Sequence, residues 1–118
     1  MSNLARSITV FGIYLLLAGL SFILIPNMVL PLVGLPTTTE IWIRLVGLLT
    51  AILGMYFIHS VRYDDRPFYR ATLYARLIFF TGVTLFVIFK LGSPLLIVFG
   101  LVDLAGAAWT WMALRASK

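Results

Sequence analysis

The fold is decided by residues 70–113, RATLYARLIFFTGVTLFVIFKLGSPLLIVFGLVDLAGAAWTWMA. This segment contains two apolar stretches, 70–89 and 94–113, each of about 20 residues, which is the length an α-helix needs to cross the hydrocarbon core of a bilayer. Only residues 90–93, which include Gly92, lie between them, so they form a turn. A connection this short makes the two helices antiparallel neighbours.

Two further apolar stretches, 5–25 and 41–61, precede this pair. Pro26 ends the first, and the polar residues 64–67 separate the second from the third. The 118 residues are 62% hydrophobic and only 11% charged, so the chain has more apolar surface than a soluble domain of this length can bury. The sequence therefore predicts an all-α integral membrane protein, with residues 1–118 forming a single antiparallel bundle of four transmembrane helices.

The distribution of Lys and Arg predicts the orientation, because short cytoplasmic loops retain cations. With four spans, one side of the membrane carries both termini and the loop 62–69, whereas the loops of the other side carry only Lys90. The first side collects Arg6, Arg62, Arg66, Arg70, Arg115 and Lys118. We therefore predict that both termini are cytoplasmic. The net charge of +5 rests on too few residues to form a phosphate-binding face, so membrane lipids, and not nucleic acid, are the expected partners.

The loop 26–39 between the first two helices is uncharged and contains three prolines. It is too short to cross the membrane and too apolar to extend into water. We expect it to lie at the outer interface or to fold partly back over the mouth of the bundle. A re-entrant element lining a pore is the alternative, although non-helical backbone at membrane depth needs partners that this segment does not obviously supply.

Three ionisable residues fall within the predicted spans: Arg44, Arg76 and Asp103. Each costs about 2.5–3.5 kcal/mol unless it is paired or hydrated. The arginines can extend towards a membrane surface, but Asp103, about 14 Å deep at about 1.5 Å per residue, cannot. Counting from the 90–93 turn places Asp103 one helical turn from Arg76, so we predict a buried polar centre in which these two pair. Arg44 is the alternative partner, because side chains lean towards the N-terminus of their own helix and this weakens the first pairing.

Charges inside a membrane tend to mark ligand, ion or proton sites. The favoured hypothesis is a non-catalytic binding or accessory protein whose polar centre holds a lipid or a small amphipathic ligand. A small proton-coupled transporter or channel that uses Asp103 is the second hypothesis. A membrane subunit of a quinone-linked oxidoreductase is the third. An ion pair that only stabilises the bundle remains the structural alternative.

Four further residues are secondary candidates for the site. Tyr74 or Tyr14 would complete the polar centre, and His59, with Tyr56 one turn away, would contact a quinone headgroup, although a histidine at this depth is more often an interfacial anchor. With one His and no Cys, the chain has no pattern for a haem, zinc or other metal site. Hydrolase and nucleotide-binding motifs are also absent from the sequence. A quinone is the one cofactor left open, and nothing gives positive support for an enzyme.

Small residues recur at helical spacing on two of the predicted spans, which permits close approach of helix backbones. The stripes comprise Gly47, Ala51 and Gly54 on the second helix, and Gly100, Gly106, Ala107 and Thr110 on the fourth. They predict tight packing within the chain or between chains. Packing between chains would give a homo-oligomer or a larger membrane complex.

Four segments that cover most of the chain resemble a known group of proteins: ILIPNMVLPLVGLP (23–36), WIRLVGLLTAILGMYF (42–57), RPFYRATLYARLIFF (66–80) and SPLLIVFGLVDLAGAAWTWMALR (93–115). They are similar to the DoxX-like proteins, small four-helix membrane proteins of bacteria with an arginine–glycine second helix and an aspartate in the last. The resemblance implies a bacterial inner (plasma) membrane location. Most members have no assigned activity, and the name-giving member belongs to a quinone-linked membrane oxidoreductase.

The residues that carry over from this resemblance are Arg44, Arg76 and Asp103. The cysteine chemistry of some relatives does not carry over, because this chain has no cysteine.

Overall fold

The computed structural model describes residues 1–117; Lys118, one of the cations counted above, lies outside them. The described residues form helices and contain no strand. Five α-helices follow one another as α1 (Asn3–Leu24), α2 (Pro26–Val29), α3 (Trp42–Val61), α4 (Arg66–Ile88) and α5 (Ile97–Ser117), with 3₁₀ turns at Leu30–Val33 and Pro94–Leu96. The predicted all-α class is confirmed.

Four helical segments are long and apolar enough to span a membrane: α1, α3, α4 and the continuous stretch Pro94–Ser117. The prediction of four such helices is therefore confirmed, but two boundaries differ. The third begins at Arg66 and not at residue 70, because the Asp65 side chain accepts a hydrogen bond from the Phe68 amide at 3.1 Å and Pro67 fits the first turn. The last continues to Ser117 instead of ending at residue 113.

The long helices form two closely packed pairs, α1 with α3 and α4 with α5, and α1 joins the pairs by packing on α5. Contacts between opposite helix ends show that neighbours are antiparallel. Ser7, near the start of α1, contacts Thr110, near the end of α5, and Arg66, at the start of α4, contacts Ser117. By contrast, α3 and α4 have almost no close backbone approach, although only residues 62–65 separate them.

The two ends of the bundle carry different parts of the chain. The terminal end carries the start of α1, the end of α5 and the turn 62–65. The loop end carries residues 25–41 and the turn 89–96. Leu4, Ile8, Phe57 and Tyr69 belong to the main buried apolar cluster, which lies at the terminal end.

The α1–α3 interface is built on glycine. A Cβ added to Gly19 would lie 2.5 Å from the carbonyl oxygen of Gly47, and one added to Gly54 would lie 2.7 Å from that of Gly12. Real Cβ atoms do not approach backbone this closely, so only glycine allows the two helices to touch along their axes. The small-residue stripe of α3 is therefore occupied within the chain.

The segment after α1 turns back towards the bundle. It forms α2 and a 3₁₀ turn that ends at Gly34, whose φ of 75° is readily adopted only by glycine. Leu30 is buried with 1% of its surface exposed. Together with Leu35 it lines the cavity described next, at the loop end.

Candidate functional site

A cavity of about 410 Å³ lies between α3 and α4 and is backed by α1 and α5. This volume is typical of small-molecule binding sites. Its lining is mostly aliphatic and aromatic, and Arg76 and Asp103 are its sole charged residues within 1–117. We call this cavity the cleft.

The cleft exists because α3 and α4 diverge. Near the turn 62–65 the rings of Phe57 and Phe68 stack edge to face with centroids 5.5 Å apart, which holds the two helices together at the terminal end. From there the cleft extends along α3 to Trp42, close to the loop end. Leu53 on α3 and Phe79 on α4 line it and are 51% and 45% exposed, so the cleft opens sideways between these helices.

Arg76 lies at the floor of the cleft with only 2% of its surface exposed. Its Nε donates to the Thr72 carbonyl oxygen at 3.1 Å, and its Nη2 donates to Thr72 Oγ1 at 2.9 Å. The guanidinium carbon lies 4.8 Å from the ring centroid of Phe11 and 5.7 Å from that of Phe57, within the range of cation–π attraction. Nη1 is buried and has no hydrogen-bond partner among residues 1–117.

Asp103 lines the same cleft from α5 and is 8% exposed. Its carboxylate accepts no hydrogen bond from residues 1–117, and no cation of that range lies within 4.0 Å; the one ion pair found there joins Arg66 to Asp64 at 3.2 Å. The predicted direct pairing of Asp103 with Arg76 is therefore not formed. Both side chains lean towards the N-termini of their own antiparallel helices, which separates them, and Arg76 bonds back to Thr72.

Gly106 shows how near the two charged residues nevertheless come. A Cβ added to Gly106 would lie 3.2 Å from Arg76 Nη1 and 2.9 Å from the Phe11 ring. Gly106 is one helical turn after Asp103, a spacing that places side chains about 5–6 Å apart. The guanidinium therefore rests against α5 about one turn from Asp103, and a side chain at position 106 would crowd it.

The alternative partner, Arg44, is not part of this centre. Its Nη1 donates to the carbonyl oxygen of Ile23 in the last turn of α1, and the residue is exposed at the loop end. Carbonyl groups in the last turn of a helix lack a partner within the helix, so this bond satisfies one of them. The predicted Arg44–Asp103 pairing is likewise not formed among the described residues.

Of the secondary candidates, only Tyr14 lines the cleft, where it is half-buried. Tyr74 is 69% exposed and Tyr56 is 57% exposed, and neither lines the cleft. His59 is exposed and its ring contacts Tyr63, with centroids 5.2 Å apart. The structure therefore brings one of these four residues to the polar centre and leaves three on the outer surface.

The residues that hold Arg76 were not identified from the sequence. Thr72 precedes Arg76 by four positions, a spacing that places both on one helix face and could have indicated the bond. Phe11 and Phe57 come from two other helices, and nothing distinguishes them in the sequence from other apolar positions. Within residues 1–117 no group of three or more His, Asp or Glu side chains is placed to hold a metal ion.

Comparisons of the chain with known protein families, with curated proteins and with solved structures found no match. The function is therefore argued from the site and its chemistry.

Proposed function

We propose that this is a non-catalytic membrane protein whose cleft binds a lipid or another small amphipathic ligand. The proposal rests on an apolar cleft whose floor contains Arg76 and Asp103. These two residues do not form an ion pair with each other. A buried polar group without a partner costs about 1–3 kcal/mol. The polar head of an amphipathic ligand would form hydrogen bonds with Arg76 and Asp103. Its apolar chain would pack against the walls of the cleft.

The direction of opening supports a ligand that comes from the bilayer. The cleft opens between α3 and α4, flanked by apolar side chains such as Val46, Leu53 and Phe79 that are exposed on the surface of the bundle. In a membrane this surface faces acyl chains. An amphipath can therefore enter sideways without passing through water.

The proposal also covers the orientation of the bundle in the membrane. The terminal end of the described chain carries most of its cations: Arg6, Arg62, Arg66, Arg70 and Arg115. By the positive-inside rule this supports an antiparallel four-span arrangement with both termini in the cytoplasm. A DoxX-like protein of a bacterial inner membrane agrees with this arrangement and remains part of the proposal. A quinone is itself an amphipath, so the quinone-linked alternative would use the same cleft.

Native mass spectrometry of the protein released from nanodiscs of bacterial lipid tests the proposal. The test variant is Ala75→Phe, which places a ring in the cleft, and the control is Ala71→Phe, which makes the same change one turn earlier on α4, outside the cleft. We expect the wild type and Ala71→Phe to retain a small-molecule adduct. Ala75→Phe should lose about 90% of it, equivalent to about 1.4 kcal/mol of binding free energy. Equal retention by both variants would contradict the proposal.

A further inference from the structure

Building on the proposed function, we infer that the cleft selects amphipaths with an uncharged polar group that both donates and accepts hydrogen bonds, as a hydroxyl or glycerol head does. The inference follows from the pair of groups at the floor, one a donor and the other an acceptor, which lie near each other without touching.

The donor is Arg76. Four of its interactions are made within the protein: two hydrogen bonds to Thr72 and contacts with the rings of Phe11 and Phe57. A guanidinium has five N–H donors, and Nη1 uses neither of its two on residues 1–117. Nη1 is covered by protein atoms, so a ligand head that displaces this cover from the cleft would accept the bond that the protein does not supply.

The acceptor is Asp103. Its carboxylate receives no hydrogen bond from the described chain, and its oxygens, unlike Arg76 Nη1, are not sealed by protein atoms but remain open to the cleft. An ionised carboxylate only accepts hydrogen bonds. It therefore requires a ligand group with a proton to donate.

Charge balance disfavours ligands with an anionic or a cationic head. Arg76 and Asp103 are the sole charged groups lining the cleft within residues 1–117, and together they are neutral. An anionic head would meet Arg76 but bring a like charge close to Asp103, and a cationic head would do the reverse. At low dielectric constant such repulsion is weakly screened, so a charged head loses much of what it gains. A hydroxyl accepts from Arg76, donates to Asp103 and adds no charge.

Arg76 and Asp103 lie near each other without touching. Arg76 Nη1 lies one helical turn from Asp103, as its 3.2 Å approach to a Cβ built on Gly106 shows, yet it is more than 4.0 Å from the carboxylate. A head with one or more hydroxyls, each of which makes hydrogen bonds of about 2.7–3.0 Å, would contact both groups. The apolar chain then follows the walls formed by Phe79 and Leu53 to the lateral opening.

The test compares three ligands with the same 18-carbon chain and different heads: monoolein, oleate and oleylamine. Each is titrated onto the purified wild-type protein in detergent, at a pH where oleate is ionised and oleylamine is protonated, and native mass spectrometry gives the three Kd values. We expect monoolein to bind about tenfold more tightly than either charged ligand, the effect of one hydrogen bond to a charged group.

Two substitutions should reverse this selectivity. Asp103→Asn removes the negative charge and leaves Arg76, so oleate should become the preferred ligand by about tenfold; Arg76→Gln should likewise favour oleylamine. Glu40→Gln, which removes an exposed carboxylate outside the cleft, is the control and should leave the order unchanged. If either charge variant does not fold, the order of the wild-type affinities alone decides.

The outcomes separate this inference from the proposed function. If the wild type binds the three ligands equally, or a charged one most tightly, while Ala75→Phe still blocks binding, the head-group inference is overturned and the binding function stands. If no ligand binds, or Ala75→Phe has no effect on any of them, the proposed function itself fails.

Discussion

The two faces of α3 differ sharply. Towards α1 the helix presents Gly47 and Gly54, and the backbones touch; towards α4 it presents larger residues, Leu53 and Phe57, and the helices diverge beyond the Phe57–Phe68 contact. In a bilayer, where the hydrophobic effect does not drive helices together, close packing depends on such small residues. One face of α3 therefore provides tight packing, while the other leaves the space for a ligand.

This separation implies that stability and binding can be changed independently. Substitutions in the α1–α3 interface should lower the free energy of unfolding. Substitutions at the opening of the cleft should alter ligand retention with little change in stability. The following experiments test how far the two faces of α3 are independent.

The largest effect is expected for Gly19→Ala. The new Cβ would lie 2.5 Å from the Gly47 carbonyl oxygen and 2.6 Å from the Ala51 amide nitrogen, so the helices must separate. We expect a loss of about 1–3 kcal/mol, as for overpacked cores. Reversible unfolding of the detergent-solubilised protein in SDS measures it.

The control for this change is Gly82→Ala in α4, where a Cβ would meet nothing within 4 Å. Better helix propensity should make that variant about as stable as the wild type or up to about 1 kcal/mol more stable. A similar loss for both glycines would mean that the α1–α3 contact has no special role.

The next effect concerns the cation at the floor of the cleft. Arg76 lies 4.8 Å from the Phe11 ring centroid in a buried site, where cation–π attraction reaches about 2 kcal/mol. In a double-mutant cycle of Phe11→Leu with Arg76→Gln, the free energies of unfolding in SDS should give a coupling energy of about 1–2 kcal/mol. The matched cycle with Phe99→Leu, which lines the cleft but makes no cation–π contact with Arg76, should give a value near zero. Equal coupling in both cycles would reject the role of the Phe11 ring.

A smaller effect is expected where α1 meets α5. The hydroxyls of Ser7 and Thr110 share a buried hydrogen bond of 2.9 Å, and such bonds between membrane helices contribute about 0.6 kcal/mol on average. We expect Ser7→Ala and Thr110→Val to show coupling of about this size in SDS unfolding. Ser21→Ala is the control, because Ser21 bonds only within α1, to the Leu17 carbonyl oxygen. Ligand retention should be unchanged in all of these variants.

The smallest effect is expected for residues on the outer surface. His59→Ala and Tyr74→Phe should change ligand retention less than about twofold, or about 0.4 kcal/mol, because neither residue lines the cleft. Tyr14→Phe, which removes a hydroxyl from a residue that does line it, is the comparison. If His59→Ala alone strongly reduced ligand retention, the binding site would lie on the surface of α3 and not in the cleft.

The helices were predictable from the sequence because their signals are local. Apolar stretches of spanning length, Pro26 and the Gly92 turn determine where helices begin and end, and the larger boundary differences arise from capping by Asp65 and from the extension of α5. The glycine stripe of α3 was also visible, because a helical repeat of small residues needs no knowledge of the partner helix. Which helix it meets was not visible, since α1 and α4 are both adjacent to α3 in sequence.

The polar centre was predictable in composition but not in geometry. Asp103 and Arg76 are conspicuous in apolar helices, and both do lie in one cavity. Their separation depends on side-chain direction and on the competing bonds of Arg76 to Thr72, which a count of residues from the turn does not include. The apolar walls of the cleft could not be predicted from the sequence, because the divergence of α3 and α4 arises only when the four long helices pack together.

The Ser7–Thr110 hydrogen bond joins residues 103 positions apart, whereas the glycine contacts of α1 with α3 involve only the first half of the chain. During synthesis the N-terminal pair can therefore associate while the second half is still on the ribosome. The C-terminal hairpin then arrives as a later addition, and the cleft has no floor until that step, because Arg76 and Asp103 both arrive with it. A nascent chain halted before α4 should consequently contain the packed α1–α3 pair and bind no ligand.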